Sequence, residues 1–204
     1  MSYFDDFQKY LPQYLSPESQ KELFSQLNEF PDNINKVVYA YSFCENEIIY
    51  QGDGFDGFLI TNLPKNDQKE SPCIILSNTC DVNAENERKF FIPRIMYCPI
   101  MSLDRYSKWL SDKRGLLSGE ALEAHLKAIK DQHITSFFYL PKGANLLEDS
   151  IALLDRVNNC DLDYLTPNFI ENNRLFSLSN YGFYLFLFKL SVHFTRVFEK
   201  ADRI

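Results

Sequence analysis

The sequence has no Cys-x-x-Cys pair, although it contains five cysteines, namely Cys44, Cys73, Cys80, Cys98 and Cys160. Their number is odd and their spacing is irregular, which argues against a disulfide framework of the secreted type and matches no zinc signature. We therefore predict reduced thiols, no metal site and no cofactor.

The chain also lacks the features of exported and membrane proteins. Residues 1–6 are acidic and contain neither the basic start nor the apolar run of a signal peptide. The most apolar stretch, residues 181–188, is too short to cross a bilayer. We expect a cytoplasmic protein that has no membrane partner.

A surplus of basic residues is missing as well. The 204 residues include 21 lysines and arginines against 28 aspartates and glutamates, which gives a formal net charge of −7. This balance argues against broad, non-specific binding to nucleic acid, which relies on a basic surface, but it leaves room for a local basic groove. Because no internal repeat or low-complexity linker is present, we predict a single domain.

What the chain does contain is a succession of short elements. Residues 3–30 predict helices, with Ser16 as an N-cap and Pro17 in the first turn. Residues 180–199 predict a C-terminal helix that is apolar nearly all round and therefore mostly buried, and a further helix runs from Ser118 to about residue 131. Runs typical of strands occur at residues 37–43, 47–51, 58–63, 72–77, 90–100, 134–140 and 150–157.

The order of these elements favours an α+β fold in which short strands at close spacing form a small antiparallel barrel or curled sheet. The predicted segments are N-terminal helices in 1–35, barrel strands in 36–103 and 134–165, a helical insert in 104–133 and a C-terminal helix in 175–204.

Residues 71–81 are the stretch around which we organise the functional hypotheses. An apolar strand ends here in small polar and reactive side chains, where a ligand could be met. The candidate site residues are Ser77, Asn78, Thr79, Cys80 and Asp81.

Cys80 has two interpretations. It could be a nucleophile if a base or a positive charge lowered its pKa, and one of His125, His133 and His193 would have to be that base. Alternatively, it is a small packing residue beside an aspartate that caps the next turn.

Two further groups are candidates for phosphate contact. Asp155 and Arg156 could form an acid–base or phosphate-binding pair, because arginine suits bidentate phosphate contact, or they could be a simple ion pair at a strand end. Arg88, Lys89 and Arg94 are the only basic cluster near the central strand, and a solvated loop is the simpler interpretation.

The middle of the chain resembles the MazF/PemK-like toxin family, whose fold is a small SH3-like barrel. Gly52-Asp53 leads into a strand, a loop at residues 64–70 precedes Ser71-Pro72, and an apolar strand then ends in Ser77-Asn78. Residues 97–102, Tyr-Cys-Pro-Ile-Met-Ser, resemble the family's Pro-Ile-Thr-Ser strand end, and residues 151–157 resemble its later strand.

The resemblance implies a toxin–antitoxin or phage-defence protein whose groove for single-stranded RNA includes Ser77–Asp81, Ser102, Arg94 and Asp155-Arg156. Such toxins cleave RNA without a metal by activating the ribose 2′-OH and stabilising the phosphorane charge. The chain departs from the family at two positions: the arginine before proline is Ser71 and the threonine of Pro-Ile-Thr-Ser is Met101. The first departure removes the obvious phosphate contact.

Two other functions stay open on the sequence alone. One is a non-enzymatic module built on the same barrel, which would hold a protein partner through its helical additions. The acidic balance and the missing arginine favour it. The other is a cysteine-dependent hydrolase.

Overall fold

The structure is a computed structural model, and it describes residues 15–40, 47–65, 67–83, 93–113 and 117–195. The start of the predicted N-terminal helices, the end of the strand predicted at 37–43, and Cys44, Arg88 and Lys89 lie outside these residues. So do residues 90–92 and the last part of the predicted C-terminal helix.

The described residues contain six α-helices and eight strands. The helices are α1 (Pro17–Asn28), α2 (Ile34–Val37), α3 (Leu103–Lys108), α4 (Gly119–Lys130), α5 (Pro167–Asn173) and α6 (Asn180–Thr195). A π-helical turn at Trp109–Lys113 and a 3₁₀ turn at Leu162–Tyr164 accompany them. The strands are β1 (Tyr39–Ala40), β2 (Gly54–Asn62), β3 (Asp67–Ile75), β4 (Arg94–Ser102), β5 (Phe137–Leu140), β6 (Ser150–Leu153), β7 (Asn158–Asp161) and β8 (Arg174–Leu178).

These strands form one open antiparallel sheet, so the α+β class is confirmed while backbone pairing closes no barrel. The order is β1-β8-β2-β3-β4-β6-β5, and β7 also pairs with β4. Strand β4 is the centre: β3 lies along one edge at Tyr97–Pro99, and β7 and then β6 lie along the other edge.

The sheet curls strongly around its first half. The Tyr97 hydroxyl donates to the carbonyl of Leu59 at 2.6 Å, and the Thr61 amide donates to Oδ1 of Asn158 at 3.0 Å. The first bond links β2 to β4 across the curl, and the second brings the far end of β2 beside β7 through a side chain rather than a backbone ladder.

Strand β3 separates two hydrophobic clusters. Cys73 and Ile75 point into a cluster inside the curl, whereas Ile74 and Leu76 point into a larger one beneath the helices. This alternation follows from the two-residue period of a strand. The central strand is therefore buried on both faces, as the apolar run predicted, although the strand ends at Ile75.

Several helix predictions are confirmed at their ends. The Ser16 hydroxyl accepts a hydrogen bond from the Ser19 amide at 3.1 Å, and Pro17 opens α1. The helix predicted from Ser118 is α4.

Two segments differ from the prediction. Residues 47–51 are irregular rather than a strand. The C-terminal helix starts at Asn180, as residues 180–199 predicted, but the wider helical segment 175–204 was wrong at its start, because Arg174–Leu178 is strand β8. Alternation of buried and exposed side chains is absent from β8, which lies inside the sheet and is buried almost throughout, so its composition suits a buried helix equally well.

Helix α6 packs closely against the start of the sheet. A Cβ on Gly182 would lie 2.2 Å from the carbonyl oxygen of Val38, so only glycine permits this approach. Not all of the helix is buried, since Phe188 is 59% and Phe194 62% exposed.

Lys189 is an exception on this helix, because it is only 4% exposed. Its Nζ donates to the carbonyl oxygen of Gln132, just beyond the end of α4. Burial disfavours the charged ammonium and lowers the pKa of Lys189 to about 8. The lysine therefore ties α6 to α4 at an electrostatic cost.

This cost predicts a pH dependence of stability. Between about pH 8 and pH 10 the lysine keeps its proton in the unfolded protein and releases it in the folded protein. The free energy of unfolding therefore rises with pH, and the unfolding constant falls by up to about tenfold per pH unit. Lys189→Met removes this rise. Urea unfolding at about pH 8 and about pH 9.5 measures it, with Lys21→Met as the control at an exposed lysine. A pH slope that is identical in wild type and Lys189→Met would refute the assignment.

Candidate functional site

The loop that follows β3 is held by its own polar side chains. The Ser77 hydroxyl accepts from the amide of Met96 at 2.7 Å. The Thr79 hydroxyl accepts from the amide of Gln51 at 3.0 Å, and Asn78 Oδ1 accepts from the amide of Cys80 at 2.9 Å. Two of the five predicted site residues, Ser77 and Thr79, thus fix the loop against its neighbours, and Asn78 fixes its internal turn.

The remaining two predicted residues, Cys80 and Asp81, are exposed. The chain then turns inward, and Val82 is buried in the cluster inside the curl. We call residues 77–83 the strand-end loop. Its fixed start and its buried end present Cys80 and Asp81 at the surface in a defined position.

The strand-end loop forms one wall of a cavity of about 290 Å³, which we call the strand-end pocket. The other walls come from the irregular segment before β2 and from the turn and helix that follow β7. Most of the lining is apolar. The lining residues are Glu47, Ile48, Ile49, Val82, Asn83, Leu162, Leu165, Pro167 and Ile170.

A buried ion pair is hydrogen-bonded to the backbone of one wall of this pocket. Arg174, at the start of β8, has its Nη2 3.6 Å from Oδ2 of Asp53, and the two side chains are 3% and 0% exposed. The same nitrogen donates to the carbonyl of Ile48 at 2.7 Å, and the guanidinium lies 5.2 Å from the ring centre of Phe55. The pair therefore fixes the backbone of a pocket wall.

Burial and nearby groups have opposite effects on the pKa of Asp53, which also links two parts of the backbone. Burial raises the pKa of Asp53 to about 6, against the opposing effects of Arg174, of the Tyr50 amide and of Ser177. The Tyr50 amide donates to Oδ2 at 2.9 Å, and the Asp53 carbonyl accepts from the amide of Ile75 at 2.9 Å. Through these bonds the aspartate joins the pocket wall to β3.

The other described cysteines are poor nucleophiles. Burial raises the pKa of Cys73 and of Cys98, and it raises the pKa of Cys160 to about 11. Thiolates, not thiols, are the reactive form. Among the described cysteines only Cys80 is exposed.

The three histidines, all of them described, are absent from the lining of the pocket. His125 lies 3.0 Å from the hydroxyl of Tyr106 on the helical insert. His193 contacts Phe194 on α6, and His133 follows the end of α4. The structure thus offers no histidine from the pocket lining as the base that a cysteine hydrolase needs.

Asp155 and Arg156 lie on the other edge of β4. They form an exposed turn, closed by a 3.0 Å bond from the Arg156 amide to the carbonyl of Leu153, between β6 and β7. Strands β3 and β7 flank β4 on opposite sides, so this turn and the strand-end loop are separated by β4 itself. Neither residue lines the pocket.

Ser102 and Arg94 mark the two ends of β4. Ser102 caps α3, accepting from the Arg105 amide at 3.3 Å, and six residues of strand, or about 20 Å, separate it from Met96. Arg94 lies at the same end as the strand-end loop, but its guanidinium pairs with Asp161 and donates to Oδ1 of Asn159 at 2.6 Å. The structure therefore brings only Arg94 to the loop's end of the sheet.

The sequence did not identify the residues that build the pocket. Arg174 within the apolar run Arg-Leu-Phe-Ser-Leu was a usable signal, because a buried arginine needs a carboxylate partner. Asp53 was interpreted only as part of the Gly52-Asp53 pair that leads into a strand. The apolar walls carry no local signal at all, since they come from three segments far apart in the chain.

No protein-family model matches the chain, and no curated protein shows significant similarity to it. Among the described residues, no group of three or more histidine, cysteine, aspartate or glutamate side chains is arranged to hold a metal ion. No helix within the described ranges is long and apolar enough to cross a membrane.

The buried pair predicts strong coupling between its members. At about pH 7.5 we expect Asp53→Asn and Arg174→Met each to lower the free energy of unfolding by about 3–5 kcal/mol, because each leaves an uncompensated buried charge. The double variant costs less than the sum of the two.

The exposed pair of Arg94 and Asp161 is the matched control, with side chains 53% and 55% exposed. A cycle of Arg94→Met and Asp161→Asn gives a coupling below about 1 kcal/mol. Urea unfolding of both sets measures the two couplings. If the losses in free energy of unfolding caused by Asp53→Asn and Arg174→Met simply add in the double variant, Asp53 and Arg174 are not a coupled pair.

Proposed function

We propose that this protein is a non-catalytic binding module that holds an apolar side chain of a protein partner in the strand-end pocket. The observation that carries the proposal is the pocket itself: seven of its nine described lining residues are apolar, and they come from three segments, one of which is the strand-end loop. Apolar pockets of this kind receive the anchoring side chains that dominate many protein interfaces.

The size of the pocket supports a side chain as its occupant. Small-molecule sites usually measure about 300–1,000 Å³, so a volume of about 290 Å³ is at the lower limit of that range. A single large side chain suits it better than a nucleotide or a cofactor. One exposed wall residue, Ile48, gives an incoming group apolar surface at the mouth, because it is 48% exposed.

The geometry around the pocket favours this function over RNA cleavage. Asp81 and Arg156, which the ribonuclease mechanism would use together, follow strands on opposite edges of β4. No lysine or arginine is among the described residues that line the pocket. Binding to an RNA backbone depends on such cations.

Within this proposal the fold is a divergent, opened form of the small SH3-like barrel of MazF/PemK-like proteins, and the protein works in a toxin–antitoxin or phage-defence system. The contact of Tyr97 with Leu59 and that of Asn158 with Thr61 support the relationship, because they bring β2 and β7 to neighbouring positions as in a closed barrel. We place the protein in the cytoplasm, where its thiols stay reduced.

The proposal predicts where an apolar probe binds. Protein labelled at Ile, Leu and Val methyl groups is titrated with N-acetyl-phenylalanine amide, a stand-in for one partner side chain. The methyl shifts should concentrate on Ile48, Ile49, Val82 and Ile170. Ile48→Trp should fill the mouth and abolish them, whereas Leu59→Trp, at a position 45% exposed and outside the pocket, should leave them unchanged.

Shifts that are spread evenly over the surface would reject the proposal. Mixed-sequence single-stranded RNA in EDTA is the second arm of the experiment. Cleavage of this RNA by wild type, and its loss in both Asp81→Ala and Arg156→Ala, would establish the ribonuclease function instead.

A further inference from the structure

We propose that the strand-end pocket selects a basic segment of its partner, in which the apolar anchor is flanked by lysine or arginine. This inference rests on the proposed function and adds the chemistry of the partner. It follows from the charges carried by the described segments that build the pocket.

Those segments carry negative charges only. Glu47 lines the pocket, and Asp163 and Glu171 directly follow the lining residues Leu162 and Ile170. These three acidic side chains are exposed, and so is that of Asp81, which directly precedes the lining residue Val82. In the described residues 47–49, 80–83 and 162–171, no lysine, arginine or histidine occurs.

Two described arginines, Arg174 and Arg94, have partners next to the pocket lining and do not offset these charges at the mouth. Arg174 has a side chain only 3% exposed and is directed to Asp53 and to the carbonyl of Ile48. Arg94 pairs with Asp161, which lies next to the lining residue Leu162. Each of these two cations is thus matched by a carboxylate, and the net charge of the described segments that build the pocket stays negative.

The distances suit electrostatic selection. Adjacent residues have Cα atoms about 3.8 Å apart, so Asp163 and Glu171 lie within about one Debye length, about 10 Å at 0.1 M salt, of the residues they follow. A charge on the residue next to the anchor therefore lies in the negative field of the carboxylates that border the pocket. A flanking cation is attracted and a flanking anion is repelled.

Three peptides that share the same anchor test this inference. They are N-acetylated, C-terminally amidated Phe-Lys, Phe-Gln and Phe-Glu, titrated into methyl-labelled protein at about 0.05 M salt. We expect affinity to fall in that order, with Phe-Lys binding about three- to tenfold more tightly than Phe-Glu. At about 0.5 M salt, where screening is strong, the difference should shrink to less than about twofold.

Variants identify which carboxylates cause the preference for Phe-Lys over Phe-Glu. Glu47→Gln and Glu171→Gln should each reduce the preference for Phe-Lys over Phe-Glu, and Glu171→Gln, which lies outside the pocket lining, should leave the affinity for Phe-Gln unchanged. Glu123→Gln, which makes the same change at an exposed position of α4, should leave the preference intact.

The outcomes separate the two proposals. Equal affinity of all three peptides, with shifts confined to the pocket methyls, would overturn the charge selection and keep the binding module. No shift at the pocket methyls with any peptide would overturn the binding module, and the charge selection with it. A preference that survives both glutamine variants would also overturn the inference.

Discussion

The buried pair of Asp53 and Arg174 is the interaction on which the rest of the described structure depends. It lies where β2 and β8 meet, between the cluster inside the curl and the cluster beneath the helices. A guanidinium at 3% exposure needs a carboxylate and carbonyl partners, and Asp53 and Ile48 provide them. The consequence is that an irregular segment, which has no ladder of its own, acquires a fixed position.

That fixed segment then organises the loop after β3. The Gln51 amide donates to the Thr79 hydroxyl, and the Gln51 side chain donates to the carbonyl of Leu76 at 2.7 Å. Gln51, which follows the pocket wall, therefore holds both Thr79 in the strand-end loop and Leu76 just before it. The pocket is a product of these ties, because its walls come from segments that the sheet by itself does not hold together.

Some of this could be predicted from the sequence, because the determining signals are local. The apolar run at residues 72–77 identified a strand buried on both faces, and Ser16 with Pro17 identified the start of α1. The sequence placed the Ser77–Asp81 cluster at a strand end. In the structure the next two residues, Val82 and Asn83, line the pocket.

What could not be predicted depends on distant parts of the chain. Arg174 and Ile48 are separated by 126 positions, and no short pattern reports such a contact. The expected meeting of Asp81 with Arg156 assumed that two strand ends converge, but the register of β4 sets them on opposite edges. Closure of a barrel likewise requires backbone hydrogen bonds between β2 and β7. Here β2 is instead held by side chains, those of Tyr97 on β4 and Asn158 on β7.

The most direct test of this account is residue-specific amide hydrogen exchange at Tyr50 and Gln51. Their amides donate to Asp53 Oδ2 and to the Thr79 hydroxyl, so the account predicts slow exchange in the wild type. In Asp53→Asn both amides should exchange markedly faster, while the amides in the middle of α4 change only as much as the lower global stability requires. Unprotected amides in the wild type, or protection that Asp53→Asn leaves unchanged, would show that the buried pair does not organise the pocket.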